Sequence, residues 1–466
     1  MERNLRWFRW HQIAAGALFW APTTFLYFIS RFGLSTALQA QVVYYVAVVA
    51  LDVPSGWASD RFGRVVTLRI VAVAWLVAHA VFLTDAGFAG IAAAQVILAA
   101  GYAFLSGSDT TFHLETLEAL GRAGEYHDRE AAIRRVLLWS GAASALAGGA
   151  LGTIDLRLPF AAAMAAAAVQ LVIATRLVDP EAMAGTADDD RSQIAVTLGH
   201  LRTPLLGWIT AFVAVTVVSA HLSADLTAPY LTAVLDADPD DPGAAALLNG
   251  AVAAVVASVA ALALHVIVPM ARRFGLAPTL LALALVPVAI LTAMASVTTA
   301  LLLPLITLRR LPGAAVSVFA PPLVAGFVGP RNRATFLSMA SFAGRLSYAG
   351  VLLLLSLVDE DDLVATLTLA AAIAGGTWLL VAVLARAVRP FPPALDHGHE
   401  HDHVELDHDH HHVHDDAHHD HDHEADENGA STEGHRHGHG HERDRHAHPH
   451  LRDAHHDHGH EVDPER

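Results

Sequence analysis

Gly56-Trp57-Ala58-Ser59-Asp60-Arg61-Phe62-Gly63-Arg64 lies between two long apolar stretches and packs two glycines, an acid and two arginines into nine positions. A tight, charged turn between membrane helices needs this composition. Glycine lets the backbone bend and helix ends approach each other. Asp60 can pair with an arginine or face a helix N-terminus, and Arg61 and Arg64 hold the turn on the cytoplasmic side.

Reading outward from that turn, the 466-residue chain is 54% hydrophobic and 16% charged, too apolar for an ordinary soluble protein. Twelve apolar stretches suit membrane-spanning helices of roughly 20 residues. They cover about 10–30, 36–57, 66–84, 88–110, 133–153, 158–177, 205–232, 244–270, 277–297, 298–327, 334–357 and 363–386. The first begins with polar Arg, His and Gln and has no small-residue cleavage site, so it reads as a retained helix. Cysteine is absent, which excludes disulfides and thiolate metal sites.

The net charge of −17 belongs almost wholly to one end. From Pro390 onward there are 21 acids and 5 arginines, whereas the preceding body has 25 acids and 24 arginines. Within the body, arginines occupy alternate loops: Arg3, Arg6 and Arg9; Arg61, Arg64 and Arg69; Arg122, Arg129, Arg134 and Arg135; Arg176, Arg191 and Arg202; Arg272 and Arg273; Arg331 and Arg333; Arg386 and Arg389. The opposite loops hold little basic charge, and two are acidic, Asp236–Asp241 and Asp359–Asp362. By the positive-inside rule both termini are cytoplasmic. The polar stretch 179–203 divides the helices six and six, giving halves at 1–178 and 204–389 followed by a tail at 390–466. Ala271-Arg272-Arg273-Phe274-Gly275 echoes the signature turn in the second half.

The opening stretch resembles the loop between the second and third helices of major facilitator superfamily transporters, where the pattern runs roughly G-x-x-x-D-R-x-G-R. Asp52-Val53-Pro54-Ser55-Gly56 resembles the acid-x-Pro-x-Gly entry of one bacterial and archaeal branch. Ser106-Gly107-Ser108-Asp109 with Glu115-Thr116-Leu117 resembles that branch's fourth-helix motif, and Arg333–Ser338 the start of its eleventh helix. Thr110, where the branch often has an acid, and His113 depart from it. The fifth helix offers Gly148-Gly149 but lacks the Gly-Pro pair of drug antiporters. The resemblance implies an all-helical body of twelve spans in two six-helix halves, a cavity lined by the first, fourth, seventh and tenth helices, and a substrate site near the midplane. It implies a gate made of Asp52, Pro54, Gly56, Asp60, Arg61, Gly63 and Arg64, with Asp52 holding the second helix against a partner in one state.

Ionisable groups within a span cost at least about 2.5–3.5 kcal/mol on insertion scales, so they face the protein interior or a wet cavity. Asp109 and His113 lie four apart, with Glu115 nearby, and His221 and Asp225 are likewise four apart. Arg309 and Arg310 fall well inside the tenth span. Three readings stay open for the acid and histidine pairs: proton carriers, ligands of a divalent metal, or bridges between helices. Their placement suggests an inner and an outer station, not one cage. The two arginines suit a salt bridge or an anionic substrate, and the bridge is the expectation. His79 and His265 read as core or lipid-boundary residues.

Of 31 histidines, 24 fall between His397 and His460, alternating with Asp, Glu and Gly. His397, His399, His401, His403, His408, His410, His411, His412, His435, His437, His439 and His441 head this set. The composition predicts a disordered tail that chelates zinc, nickel, cobalt or copper with low selectivity. No Gly-Lys-Ser/Thr loop and no nucleophile with a base on a soluble domain is present, so no enzyme is indicated and no cofactor is required. The sequence therefore reads as a monomeric secondary transporter in a prokaryotic plasma membrane. It would be proton-coupled and exporting, its substrate a divalent metal, a metal complex or a small organic solute, without a nucleic-acid partner. A non-transporting, membrane-anchored metal sensor is the alternative.

Overall fold

A computed structural model of the protein describes residues 1–84, 86–106, 108–180, 199, 201–237, 243–325, 327–328, 333–359, 362–388, 398–402, 406–412, 435–441 and 445–449. The side chains of Val53, Trp57, Asp60, His127, Leu264, Ala325 and residues 333–335 lie outside the description, as do those of residues 398–449. Most of the expected linker, 179–203, also lies outside it.

The chain forms two compact units, Met1–Phe391 and Pro392–Arg466. In the first, the helices are α1 Glu2–Ala15, α2 Thr24–Phe62, α3 Arg64–Phe82, α4 Phe88–Leu105, α5 Ser108–Glu118, α6 Tyr126–Gly152 and α7 Leu158–Ala174. After 199 come α8 Pro204–Asp225, α9 Thr227–Val234, α10 Gly243–Phe274, α11 Leu276–Ser296, α12 Leu303–Ile306, α13 Leu311–Ala325, α14 Arg333–Leu355 and α15 Leu363–Leu384. Nine of the spans built from these described residues are long and apolar enough to cross a membrane. Of the expected spans, 158–177 appears as the shorter apolar helix α7, and 133–153 falls within α6, whose start is charged. The span expected at 10–30 is not one helix. It unwinds between Ala15 and Thr24 and ends where two helices meet at Gly33, φ +77°.

The signature stretch is far shorter as a turn than its composition suggests. Residues 56–62 complete the helix α2, and a Cβ added to Gly56 would meet nothing within 4 Å, so close packing does not explain that glycine. The whole reversal falls on Gly63, φ +91° and ψ 155°, a conformation open to glycine and strained for other residues. Gly275 has φ +89° and ψ 155°, and each glycine precedes a helix four residues ahead of a threonine. Thr67 Oγ1 donates to the Gly63 carbonyl at 2.9 Å and Thr279 Oγ1 to the Gly275 carbonyl at 2.8 Å. The sequence echo at 271–275 is thus a repeated piece of backbone.

Close helix contacts come from small residues. A Cβ on Gly149 would lie 2.8 Å from the Ala246 carbonyl, and one on Gly250 2.6 Å from the Ala145 carbonyl, so α6 and α10 touch at the end remote from the N-terminus. One on Gly148 would overlap the Phe19 carbonyl of the unwound segment. At the same remote end Ser35 Oγ donates to the Ser356 carbonyl at 2.5 Å, joining α2 to the end of α14.

In the second unit the described stretches are paired backbone. β1 Gly398–Asp402 runs antiparallel to β4 Arg445–Pro449, and β2 Leu406–His412 to β3 His435–His441. The alternation of His with Asp or Gly has the period-two repeat of extended chain. It sets His408 opposite His439, His410 opposite His437 and His412 opposite His435. His397 and His403 lie outside the described residues.

Gly63→Ala and Gly275→Ala should each lower stability by about 1–3 kcal/mol through backbone strain. Gly63→Ala should cost more, because its Cβ would stand 2.9 Å from Asp179 Oδ2 while the nearest atom at Gly275 is 3.6 Å away. Thermal unfolding of the detergent-solubilised protein measures both, and equal stability of Gly63→Ala and wild type would contradict the turn geometry.

Candidate functional site

Four breaks in the helices surround one cavity of about 540 Å³. The first is the stretch between Ala15 and Thr24. The second separates α4 from α5 at Ser106, the third separates α8 from α9 at Leu226, and the fourth is the turn Thr307–Arg310 between α12 and α13. They fall in the first, fourth, seventh and tenth segments, which the resemblance implies line a cavity. Gln12, Trp20, Gln41, Tyr44, Tyr45, Tyr102, Asp109, Arg134, His221, Asp225, Asn249, Arg309 and Arg310 are among the residues that line it. Near its remote end Asn249 Nδ2 donates to the Pro22 carbonyl, giving the unwound backbone a partner.

Asp109 and Asp225, expected as an inner and an outer station, both line this cavity. Each also chooses a partner from another helix instead of the histidine four positions away. Gln12 Nε2 donates to Asp109 Oδ2 at 3.0 Å, and the Thr110 amide to Asp109 Oδ1 at 2.8 Å. Tyr348 Oη donates to Asp225 Oδ2 at 2.6 Å, and Gln41 Nε2 reaches the same oxygen at 3.4 Å. His221 Nδ1 instead bonds the Val217 carbonyl at 2.7 Å, and its ring lies against Tyr45 and Tyr348. Among the described residues no three His, Cys, Asp or Glu side chains stand close enough to hold a metal ion.

Among the described residues the salt bridge expected for the arginines is not made. Arg309 is buried, with its Nε lacking a hydrogen-bond partner and its Nη1 only 3.4 Å from Thr227 Oγ1. Arg310 lines the cavity, and among the described residues no carboxylate forms an ion pair with either guanidinium.

His113 and Glu115 lie away from the cavity. His113 Nδ1 meets Glu130 Oε2 at 2.8 Å, and Glu130 Oε1 accepts from Arg134 Nε at 2.8 Å, so one carboxylate links a buried histidine to a cavity arginine. Glu115 Oε1 lies 3.4 Å from Arg64 Nε, and Arg64 Nη1 donates to Ser59 Oγ at 2.9 Å, itself 2.9 Å from Ser108 Oγ. These contacts tie the gate stretch to α5. Asp60's side chain lies outside the description. The acid seen at the start of α3 is Asp179, whose Oδ1 accepts from the Val65 amide at 2.8 Å. Arg61 is exposed. Asp52 meets Arg345 of α14 at 3.8 Å, a partner helix from the other end of the chain. His79 is buried, its Nδ1 2.6 Å from the Trp75 carbonyl, and His265 sits at the surface.

Sequence reasoning missed Gln12, Gln41, Glu130, Tyr348 and Arg345. Two signals were available for some of them: a glutamine inside an apolar helix, and an arginine in the middle of the eleventh span.

The His113 hydrogen bond holds the Glu130 carboxyl below the usual carboxylate range, with Arg134 adding to the shift against the opposing effect of burial. A lowered folded-state value means Glu130 contributes stability above the ordinary pKa of about 4.3 and loses it as pH falls through the lowered value. Glu130→Gln should therefore melt earlier than wild type at neutral pH and show a flatter loss of stability on acidification. Parallel melting curves with unchanged spacing at all pH values would contradict this.

No family model matches the sequence, and no curated protein does either. Solved structures do. The nucleoside transporter NupG is 13% identical, with a TM-score of 0.66 over 84% of this chain and 99% of that one. A D-xylose–proton symporter is 16% identical, with a TM-score of 0.63 over 84% and 98%. A bacterial homologue of the iron transporter ferroportin, inward-facing, is 16% identical, with a TM-score of 0.60 over 82% and 98%. These neighbours are transporters and not enzymes. The body of this chain has the polytopic helical fold that these solved structures share.

Proposed function

We propose that the chain is a proton-coupled secondary transporter of twelve spans, in a prokaryotic plasma membrane with both termini cytoplasmic. The halves 1–178 and 204–389, joined by 179–203, would alternate access to the central cavity. Export is the proposed direction, and the tail, 390–466, would buffer or sense divalent metal.

Asp225 carries this reading. It sits at a helix break in the cavity and is held at once by Gln41 from the first half and Tyr348 from the second. Adding a proton to that carboxylate takes away its charge and weakens the acceptor on which two donors from opposite halves converge, so protonation would loosen the link between the halves. The contacts that close the remote end, Ser35 with Ser356 and Gly149 against Gly250, give the arrangement one sealed side. Toward the other end α6 and α10 part to line the cavity with Leu137, Gly141, Ala253 and Ala257. Metal transport through this body has less support than organic-solute transport, because the described acids are committed to Gln, Tyr and backbone partners.

Cells expressing the wild-type chain should retain less of the exported solute than cells expressing Asp225→Asn, with metals read by elemental analysis and organic solutes by mass spectrometry. Wild-type retention should vary with external pH and the variant's should not. A variant with the wild-type pH dependence removes Asp225 from coupling.

Asp52→Asn and Arg345→Gln should each slow transport severalfold without preventing membrane insertion. The exchange of charges, Asp52→Arg with Arg345→Asp, should recover part of the rate. Additive loss in the exchanged pair would mean that the two side chains do not act together.

A further inference from the structure

The cavity holds an unmet demand for negative charge. Arg309 is 7% exposed, its Nε has no acceptor, and its one hydrogen bond, to Thr227, is long. Arg310 is its chain neighbour and opens onto the same space. The nearest acid, Asp225, forms no ion pair with them, and Tyr348 and Gln41 occupy its Oδ2. Arg134 is already held by Glu130, and Arg345 stands toward Asp52. Two adjacent guanidiniums, five N–H donors each, one buried and one open to the cavity, thus stand without a paired carboxylate among the described residues.

The backbone adds to the same field. Arg310 immediately precedes the fifteen-residue helix α13, so the positive end of that helix falls at the arginine pair. Cations at a helix N-terminus are disfavoured, and an anion bound there would satisfy both the side chains and the helix end.

Trp20, Tyr44, Trp75 and Tyr102, flat and apolar with polar tips, line the same cavity. Trp75 and Tyr102 stand 4.8 Å apart, Tyr44 and Tyr102 6.2 Å, and Trp20 and Tyr102 6.4 Å. Trp75 Nε1 is buried without an acceptor, and its indole occupies space that a Cβ on Gly101 would take. A ring fits such a wall through stacking. A bare divalent cation gains nothing from it and is repelled by the arginine pair.

We propose that the cavity takes an aromatic carboxylate, with its anionic group on Arg309 and Arg310 and its ring against the Trp20, Trp75 and Tyr102 wall. This rests on the transporter reading only in making the bound molecule a substrate; the binding chemistry stands by itself.

The test uses the full chain in detergent, with benzoate, salicylate and indole-3-acetate as probes and the corresponding neutral amides as controls. The acids should raise the unfolding midpoint of wild type and the amides should not. Arg310→Gln and Arg309→Gln should each weaken binding roughly tenfold or more, as loss of a charge-assisted contact does. Arg309→Lys, which keeps the charge, should weaken it less and also controls for folding. Amides that match the acids, acids that leave wild type unshifted, or arginine variants that bind as wild type would each overturn the proposal. Counterflow of radiolabelled benzoate in proteoliposomes separates the two claims. Binding without counterflow would overturn transport and leave the ligand class standing, whereas proton-driven movement of a metal or neutral solute without acid binding would do the reverse.

Discussion

Backbone polar groups inside a membrane must find partners within the protein, because lipid offers none. The unwound stretch between Ala15 and Thr24 is where this constraint is tightest. Its carbonyls are taken up locally at Trp20, which accepts from the Thr23 and Thr24 hydroxyls at 3.2 and 2.7 Å, and from the other half through Asn249 at Pro22. The Phe19 carbonyl is packed where Gly148 leaves room for it. Without a side chain at 148, 149 and 250, α6, α10 and the unwound segment can lie close enough to shield that backbone. The Gly148-Gly149 pair, read in the sequence only as a departure from drug antiporters, is therefore what permits a broken first helix.

The cavity's ionisable groups follow from the same constraint. Asp109 falls in the first turn of α5, where the positive helix end favours an acid. Asp225 is the last residue of α8, two positions before the start of α9. Arg309 and Arg310 occupy the turn before α13, where the helix field disfavours them. Placing each charge at a break gives it helix-end dipoles and nearby polar backbone instead of hydrocarbon. The acids find side-chain donors at these breaks, whereas Arg309 Nε has no acceptor among the described residues.

Much of the fold was legible because its signals are local. The Gly63 turn, the echo at Gly275 and the run of apolar spans depend on residues close in sequence. Even so, the turn was overread: nine residues of turn-like composition contain one residue of turn, since Ala58 to Phe62 can continue a helix as readily as leave it. The site was legible only as a set of residues. Reasoning from helix periodicity paired Asp109 with His113 and His221 with Asp225, but an i,i+4 neighbour on one helix competes with partners from helices packed against it. The winners lie 97 positions away for Asp109, and 184 and 123 for Asp225. Periodicity carries no information at that range. Asp52 was the exception in part, because its position beside Pro54 signalled a partner helix, though not that the partner was Arg345.

The distribution of contacts between the halves also bears on how the body could move. At the remote end they are short-range and uncharged: a hydroxyl on a carbonyl, and glycine backbones against each other. Such contacts depend on shape and are either made or lost. Toward the other end the described link is Asp52 with Arg345, a partly exposed pair at 3.8 Å. A pair of that kind contributes about 0.2–1 kcal/mol and tolerates changes of distance. Asp225 sits between, bonded to both sides through an acceptor that a proton would weaken. On the alternating-access reading, the shape-dependent end sets two discrete states, the ion pair limits their separation without locking it, and the central carboxylate decides between them.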